Sequence, residues 1–147
     1  MNTYVKQVLS NKGATVITVS PQSTVYDAVK KLCAKQVGSL LVVNEDGKLV
    51  GIFSALDCMK RVVLEDKSAR DVKVEAVMSQ KVVCVDPDTS VDVCMALMTE
   101  RRIRHLPVLD ESERLVGIVS IGDLVKVVSS QQETIIRDLE KYIVGAF

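Results

Sequence analysis

Tryptophan is missing from this 147-residue sequence, and its aromatic residues are only Phe53, Phe147, Tyr4, Tyr26 and Tyr142. Proteins that hold single-stranded nucleic acid stack bases on aromatic rings, so this scarcity argues against such a partner. Net charge is missing too, because Lys plus Arg and Asp plus Glu both number 19 and the formal charge is zero. That removes the electrostatic case for nucleic acid or an anionic membrane surface. No apolar run nears the roughly 18 residues of a membrane span. The opening MNTYVKQVLSNKG also lacks the apolar stretch of a signal peptide. The expected setting is cytoplasmic, with no membrane partner. Cys33, Cys58, Cys84 and Cys94 never form a C-x-x-C pair, and His105 is the single histidine. No metal site is therefore expected, and the cysteines read as small, buried, reduced apolar residues.

What the chain does have is apolar content, 48% of its residues, enough for a real core. It carries that content twice. Pro21 and Pro87, Gly51 and Gly117, and Asp57 and Asp123 all stand 66 residues apart. At that offset, without a gap, VITVSPQSTV lies over VVCVDPDTSV, and LLVVNEDGKLVGIFSALD over LPVLDESERLVGIVSIGD. Sequence repeats of this kind mark units that bury their apolar faces against each other.

Each unit reads as strand, helix, strand, strand, helix. A β-branched run (16–19 and 82–85) stops at a proline, which ends a strand. A helix follows, opened by cap residues around Thr24 or Thr89. Its apolar face carries Val25, Ala28, Val29 and Leu32 in the first copy and Val91, Met95 and Met98 in the second. Two short apolar strands joined by a polar turn come next, and a second helix starts at Ser54 or Ser120. The expected fold class is α+β, with two pseudo-symmetric β-α-β-β-α repeats packed face to face. The divisions are an N-terminal helix (1–13), repeat 1 (14–66), a linker with a helix (67–80), repeat 2 (81–129) and a C-terminal helix and tail (130–147). The leading helix carries Val5, Val8 and Leu9, and in the trailing one Ile135, Leu139, Tyr142 and Ile143 make an apolar stripe that needs a partner surface. For the trailing stripe that surface is expected on a second subunit.

A tandem unit of this length ending in G-h-h-S/T-x-x-D, here GIFSALD and GIVSIGD, resembles the cystathionine-β-synthase-type (CBS) domain pair, or Bateman module. The likeness runs from about Ala14 to Ser129 and includes RRIRHLPV at 101–108. The LEKYIVG ending is similar to that of small stand-alone bacterial and plant members. The resemblance implies an adenosine ligand (AMP, ADP, ATP, NAD or S-adenosylmethionine) as effector, bound in two clefts between the repeats, with no cofactor required. Carried over by position, Ile118, Ser120 and Asp123 would face Thr15, Val16, Val37, Gly38 and Ser39. Ile52, Ser54 and Asp57 would face Val82, Ile103, Arg104 and His105.

The residue chemistry admits two readings of Ser-x-x-Asp. As a capping box, the serine accepts a backbone N–H and the aspartate reaches back to the cap. The first helices carry similar boxes, Thr24-x-x-Asp27 and Thr89-x-x-Asp92, one place out of the 66-residue register. As a ligand site, glycine would let a ligand approach the backbone, the helix start would offer N–H groups to phosphate, and aspartate would accept from both ribose hydroxyls. Arg104 and His105 would put basic groups beside the Asp57 cleft. Ala55 and Leu56, between serine and aspartate, bring no cation to it.

Catalysis is not expected. The lone histidine has no nucleophile at recognisable spacing, and neither G-x-G-x-x-G nor G-x-x-x-x-G-K-S/T occurs. The expected function is a regulatory module sensing adenine nucleotide, as a homodimer or with a regulated enzyme partner. The competing reading is a ligand-free scaffold for protein interaction.

Overall fold

In the computed structural model, the described residues are 3–12, 16–128 and 141. The chain runs α1 (Val5–Lys12), β1 (Thr18–Val19), α2 (Val25–Lys35), β2 (Ser39–Val43), β3 (Leu49–Ser54), α3 (Ala55–Cys58), α4 (Val74–Val77), α5 (Val91–Arg101), β4 (His105–Leu109), β5 (Leu115–Ser120) and α6 (Ile121–Val128). A π-helical turn, Met59–Val63, prolongs α3. The expected trailing helix and its stripe lie outside the described residues, apart from Lys141.

In the first half β1 runs parallel to β2, and β2 antiparallel to β3, with Leu40 opposite Phe53 and Leu41 opposite Ile52. The second half repeats the hairpin, with Leu106 opposite Val119 and Pro107 opposite Ile118. Its expected first strand, 82–85, is reduced to one parallel bridge between Val85 and Val108. The Val85 N–H donates to the Pro107 carbonyl at 3.0 Å, and the Leu109 N–H to the Val85 carbonyl at 2.9 Å. The next donor towards Val83 would be residue 107, and proline has no N–H to give.

The first-helix caps also differ from the sequence reading. Thr24 caps α2, accepting from the Asp27 N–H at 3.1 Å. The cap of α5 is Ser90, which accepts from the Val93 N–H at 3.2 Å. Thr89 instead closes a turn, its hydroxyl accepting from the Asp86 N–H at 3.2 Å. The caps therefore keep the 66-residue register that Thr89 and Asp92 had seemed to break.

Each half has its own core. The first is built on Val25, Ala28, Leu32, Leu40, Val42 and Phe53, the second on Val91, Cys94, Met98, Leu106, Val108 and Val119. Cys94 takes the place of Ala28, and burial together with nearby Asp86 pushes its thiol pKa up. The expectation of buried cysteines holds for Cys94 alone, since Cys33 is exposed and Cys58 and Cys84 are half-buried.

Neither core is completed by its own leading segment. Val5 and Val8 of α1 are buried in the second core, whereas Val74 and Val77 of α4 are buried in the first. The exchange is matched bond for bond. Val91 N–H donates to Thr3 O and Val25 N–H to Val72 O, while Val5 N–H donates to Thr89 O and Val74 N–H to Ser23 O. Thr3 and Val72, like Val5 and Val74, stand 69 apart rather than 66, so the leading helices are a second repeat with its own register.

Candidate ligand site

The hairpin strands have two apolar faces, because successive side chains point to opposite sides of a sheet. Leu40, Val42 and Phe53 face one core, and Leu106, Val108 and Val119 the other. Their alternates turn the opposite way and meet between the halves. There a cleft of about 460 Å3 is lined by Val16, Ile17, Gln36, Val37, Gly38, Ser39, Leu41 and Ile52 from the first half. The second half contributes His105, Pro107, Ile118 and Ser120.

Six of these residues form pairs in the 66-residue register: Ser39 with His105, Leu41 with Pro107, and Ile52 with Ile118. The cleft therefore straddles the pseudo-two-fold relation between the halves. The hairpin turns meet across the same relation, through a bridge between Lys48 and Arg114.

Val16, Val37, Gly38 and Ser39 share this wall with Ile118 and Ser120, the grouping expected around Asp123. Asp123 itself stands behind Ser120: its Oδ2 accepts from the Ser120 N–H at 2.8 Å, and its own N–H donates to Ser120 Oγ at 3.1 Å. Thr15 lies outside the described residues. Ile52 and His105, expected on the Asp57 side, line this same cleft because they sit in the middle of the pseudo-symmetric set. Ser54, Asp57, Val82, Ile103 and Arg104 do not line it. Sequence reasoning missed Ile17, Gln36, Leu41 and Pro107. A period-two step from Ser39 and His105 would have found Leu41 and Pro107. Gln36 is harder to anticipate: it is the left-handed C-cap of α2, at φ 54°.

Two expectations about the motif are corrected. The Gly51 and Gly117 positions serve packing rather than ligand approach. A Cβ at Gly51 would come 2.6 Å from Met78 Sδ and 2.8 Å from the Ser79 carbonyl oxygen, and one at Gly117 would come 2.7 Å from Leu9 Cδ2. These glycines let the exchanged leading segments cross the sheets. The first and third N–H groups of each helix start are also engaged rather than free for phosphate. Ala55 N–H donates to Gly38 O at 3.0 Å and Ile121 N–H to Arg104 O at 2.9 Å. Asp57 N–H donates to Ser54 Oγ at 3.1 Å, and Asp57 Oδ2 accepts from the Ser54 N–H at 2.8 Å and the Ser54 hydroxyl at 3.0 Å. Both motifs are thus capping boxes in full working order, whatever else they do.

The sequence profile of the CBS domain matches the chain twice, over residues 5–64 and 74–130. The chain belongs to the CBS domain family. It is 34% identical to the mitochondrial CBS domain-containing protein CBSX3 of Arabidopsis thaliana, over 99% of this chain and 74% of that one. The match to inosine-5′-monophosphate dehydrogenase of Methanocaldococcus jannaschii is 37% identical over 76% of this chain but spans only 21% of the dehydrogenase.

Solved structures agree on the CBS pair fold. A protein with CBS domains from Burkholderia ambifaria superposes with TM-score 0.75 at 46% identity, over 88% of this chain and 96% of that one. The CBS domain pair of protein MJ0100, solved with 5′-methylthioadenosine and S-adenosyl-L-methionine, superposes with TM-score 0.72 at 29% identity, over 89% and 99% of the two chains. Among the described residues no helix is long and apolar enough to cross a membrane, and no cluster of three or more metal-ligating side chains occurs.

Proposed function

We propose that this CBS pair is a non-catalytic regulatory module that binds an adenosine ligand in the cleft between its repeats. The observation that carries the reading is the cleft itself, where apolar walls from both halves converge on the Ser39, His105 and Ser120 side chains. The walls can bury a base, and hydroxyl and imidazole groups can orient it. Asp123, bonded to Ser120, is the acceptor we assign to the ribose hydroxyls. The ligands of the MJ0100 pair, both adenosine derivatives, support this class. The candidates implied by the family resemblance are AMP, ADP, ATP, NAD and S-adenosylmethionine.

The output we propose is a change in self-association or in the grip on a regulated enzyme. A ligand can drive such a change only through its different affinity for the two arrangements. Supporting a homodimer, Leu56, Met59, Val63 and Leu64 are exposed along α3 and its π-helical extension, beside an apolar groove that includes Val29, Leu32 and Val37. The same strip is what favours the scaffold reading, in which the cleft stays empty.

The test is the unfolding midpoint of nucleotide-stripped protein with each candidate and with GMP as control. A ligand at 100 times its Kd adds about 2.7 kcal/mol of stability, enough for a clear upward shift. Ser54→Ala and Ser120→Ala both remove a cap worth about 1 kcal/mol. Only Ser120→Ala should also shrink the ligand-induced shift. No shift with any adenosine compound would leave the scaffold reading.

A further inference from the structure

Charge is what the cleft lacks. Among its described lining residues there is no lysine, arginine, aspartate or glutamate, and His105 is the one ionisable side chain. The positions between Ser120 and Asp123 are Ile121 and Gly122, which add no cation. Two of the nearby backbone donors are engaged, Ile121 N–H by the Arg104 carbonyl and Asp123 N–H by Ser120 Oγ. A phosphate entering here would give up water without meeting a lysine or arginine among the described lining to replace it.

Gly38 is the second observation. Its φ is not in the left-handed region, and a Cβ built on it meets nothing within 4 Å. Neither backbone conformation nor packing among the described residues therefore calls for glycine. It nevertheless lines the cleft, and its register partner is Arg104, whose carbonyl does for α6 what the Gly38 carbonyl does for α3. In one half this position is empty space facing the cleft. In the other it carries a guanidinium that does not line the cleft.

We propose that this cleft selects a nucleoside whose 5′ substituent is uncharged, a 5′-thioether of adenosine for example, over nucleoside mono- and polyphosphates, and that Gly38 is the position that keeps room for it. The inference rests on the adenosine reading of the cleft and narrows it. An uncharged substituent gains from Val16, Ile17, Val37 and Ile118 what a phosphate cannot use.

Isothermal titration of the nucleotide-stripped full chain at pH 8, above the ordinary imidazole range, separates the alternatives. The probes are adenosine, 5′-methylthioadenosine, AMP and ATP. The two uncharged nucleosides should bind at least about tenfold more tightly than AMP, a difference of about 1.4 kcal/mol, with ATP weaker again. AMP or ATP binding as tightly as adenosine would overturn the selectivity while leaving the adenosine reading intact. Flat titrations with all four would sink that reading itself. In Gly38→Ala the unfolding midpoint should hold or rise, because the new methyl meets no atom of the described residues, while affinity for 5′-methylthioadenosine falls about tenfold. Unchanged affinity in that variant would remove Gly38 from the selectivity.

Discussion

In the first half β1 pairs with β2 along Thr18 and Val19, α3 breaks into a π-helical turn, and Leu56 and Met59 are left exposed. In the second half the matching strand touches β4 at Val85 alone, α6 runs unbroken from Ile121 to Val128, and Leu124 is fully buried. One repeated pattern has thus been finished in two ways. The second half, poorer in sheet, is the one closed by the eight-residue α1, whereas the first is closed by the four-residue α4 and by Ser79, which bridges to Ile52. Each half depends on a segment that the chain places before the other. A repeat boundary drawn along the sequence therefore does not enclose a folding unit.

Removing residues 1–12 should break the comparison most sharply. The deletion takes Val5 and Val8, 0% and 2% exposed, out of the second core. At about 1.5–3 kcal/mol for each buried valine, the loss is about 3–6 kcal/mol, a large share of the stability of an ordinary domain. Amide hydrogen exchange should show β4 and β5 losing protection while β2 and β3, closed by α4, keep most of theirs. Equal loss in both halves would mean that the two cores unfold as one unit and that the exchange of leading segments has no local consequence.

The two motif glycines sharpen the comparison at a smaller scale. A Cβ at Gly51 meets the Ser79 backbone at 2.8 Å as well as Met78, whereas the three described atoms nearest a Cβ at Gly117 all belong to the branched end of Leu9. Side-chain ends can rotate away and backbone cannot. Gly51→Ala should therefore cost about 1–3 kcal/mol, as overpacking does, and Gly117→Ala less than about 1 kcal/mol. Urea denaturation midpoints of the two variants give the order directly. A Gly117→Ala cost equal to that of Gly51→Ala would show α1 to be held as rigidly over β5 as the 78–79 segment is over β3.

Much of this architecture was legible in the sequence because period and offset are written in residue type. The 66-residue register and the strand, helix, strand, strand, helix order follow from apolar runs, prolines and cap residues. What stayed hidden depends on who packs against whom. Nothing in VKQVLSNK says that it closes the far repeat, and its 69-residue register is too short a match to stand out. Gly51 and Gly117 looked like ligand glycines because glycine reports close approach without naming what approaches. The grouping of Val16, Val37, Gly38 and Ser39 with Ile118 and Ser120 was accessible through family resemblance. The shared central positions of Ile52 and His105 needed the three-dimensional pseudo-symmetry.

The smallest expected effect lies at the hairpin turns, where the halves hold the same conformation with different residues. Asn44 Oδ1 accepts from the Asp46 and Lys48 N–H groups, both at 3.0 Å, and Asp110 Oδ1 accepts from Ser112 and Arg114 at 2.8 and 2.9 Å. Both turns then need a left-handed residue, which the first meets with Gly47 at φ 80° and the second with Glu113 at φ 62°. An L side chain in that region costs about 1 kcal/mol, and glycine offsets part of the gain by loosening the unfolded chain. Gly47→Ala should thus lower stability by about 1 kcal/mol for conformational reasons alone, since its Cβ would lie 4.0 Å from the nearest atom among the described residues, Arg114 Nη1. Glu113→Gly should move the other way by a few tenths of a kcal/mol. Opposite signs in the urea midpoint, with an unchanged denaturant slope, would establish that the turns differ in strain and not in fold; a loss at both sites would mean that Glu113 contributes a contact worth more than the strain it carries.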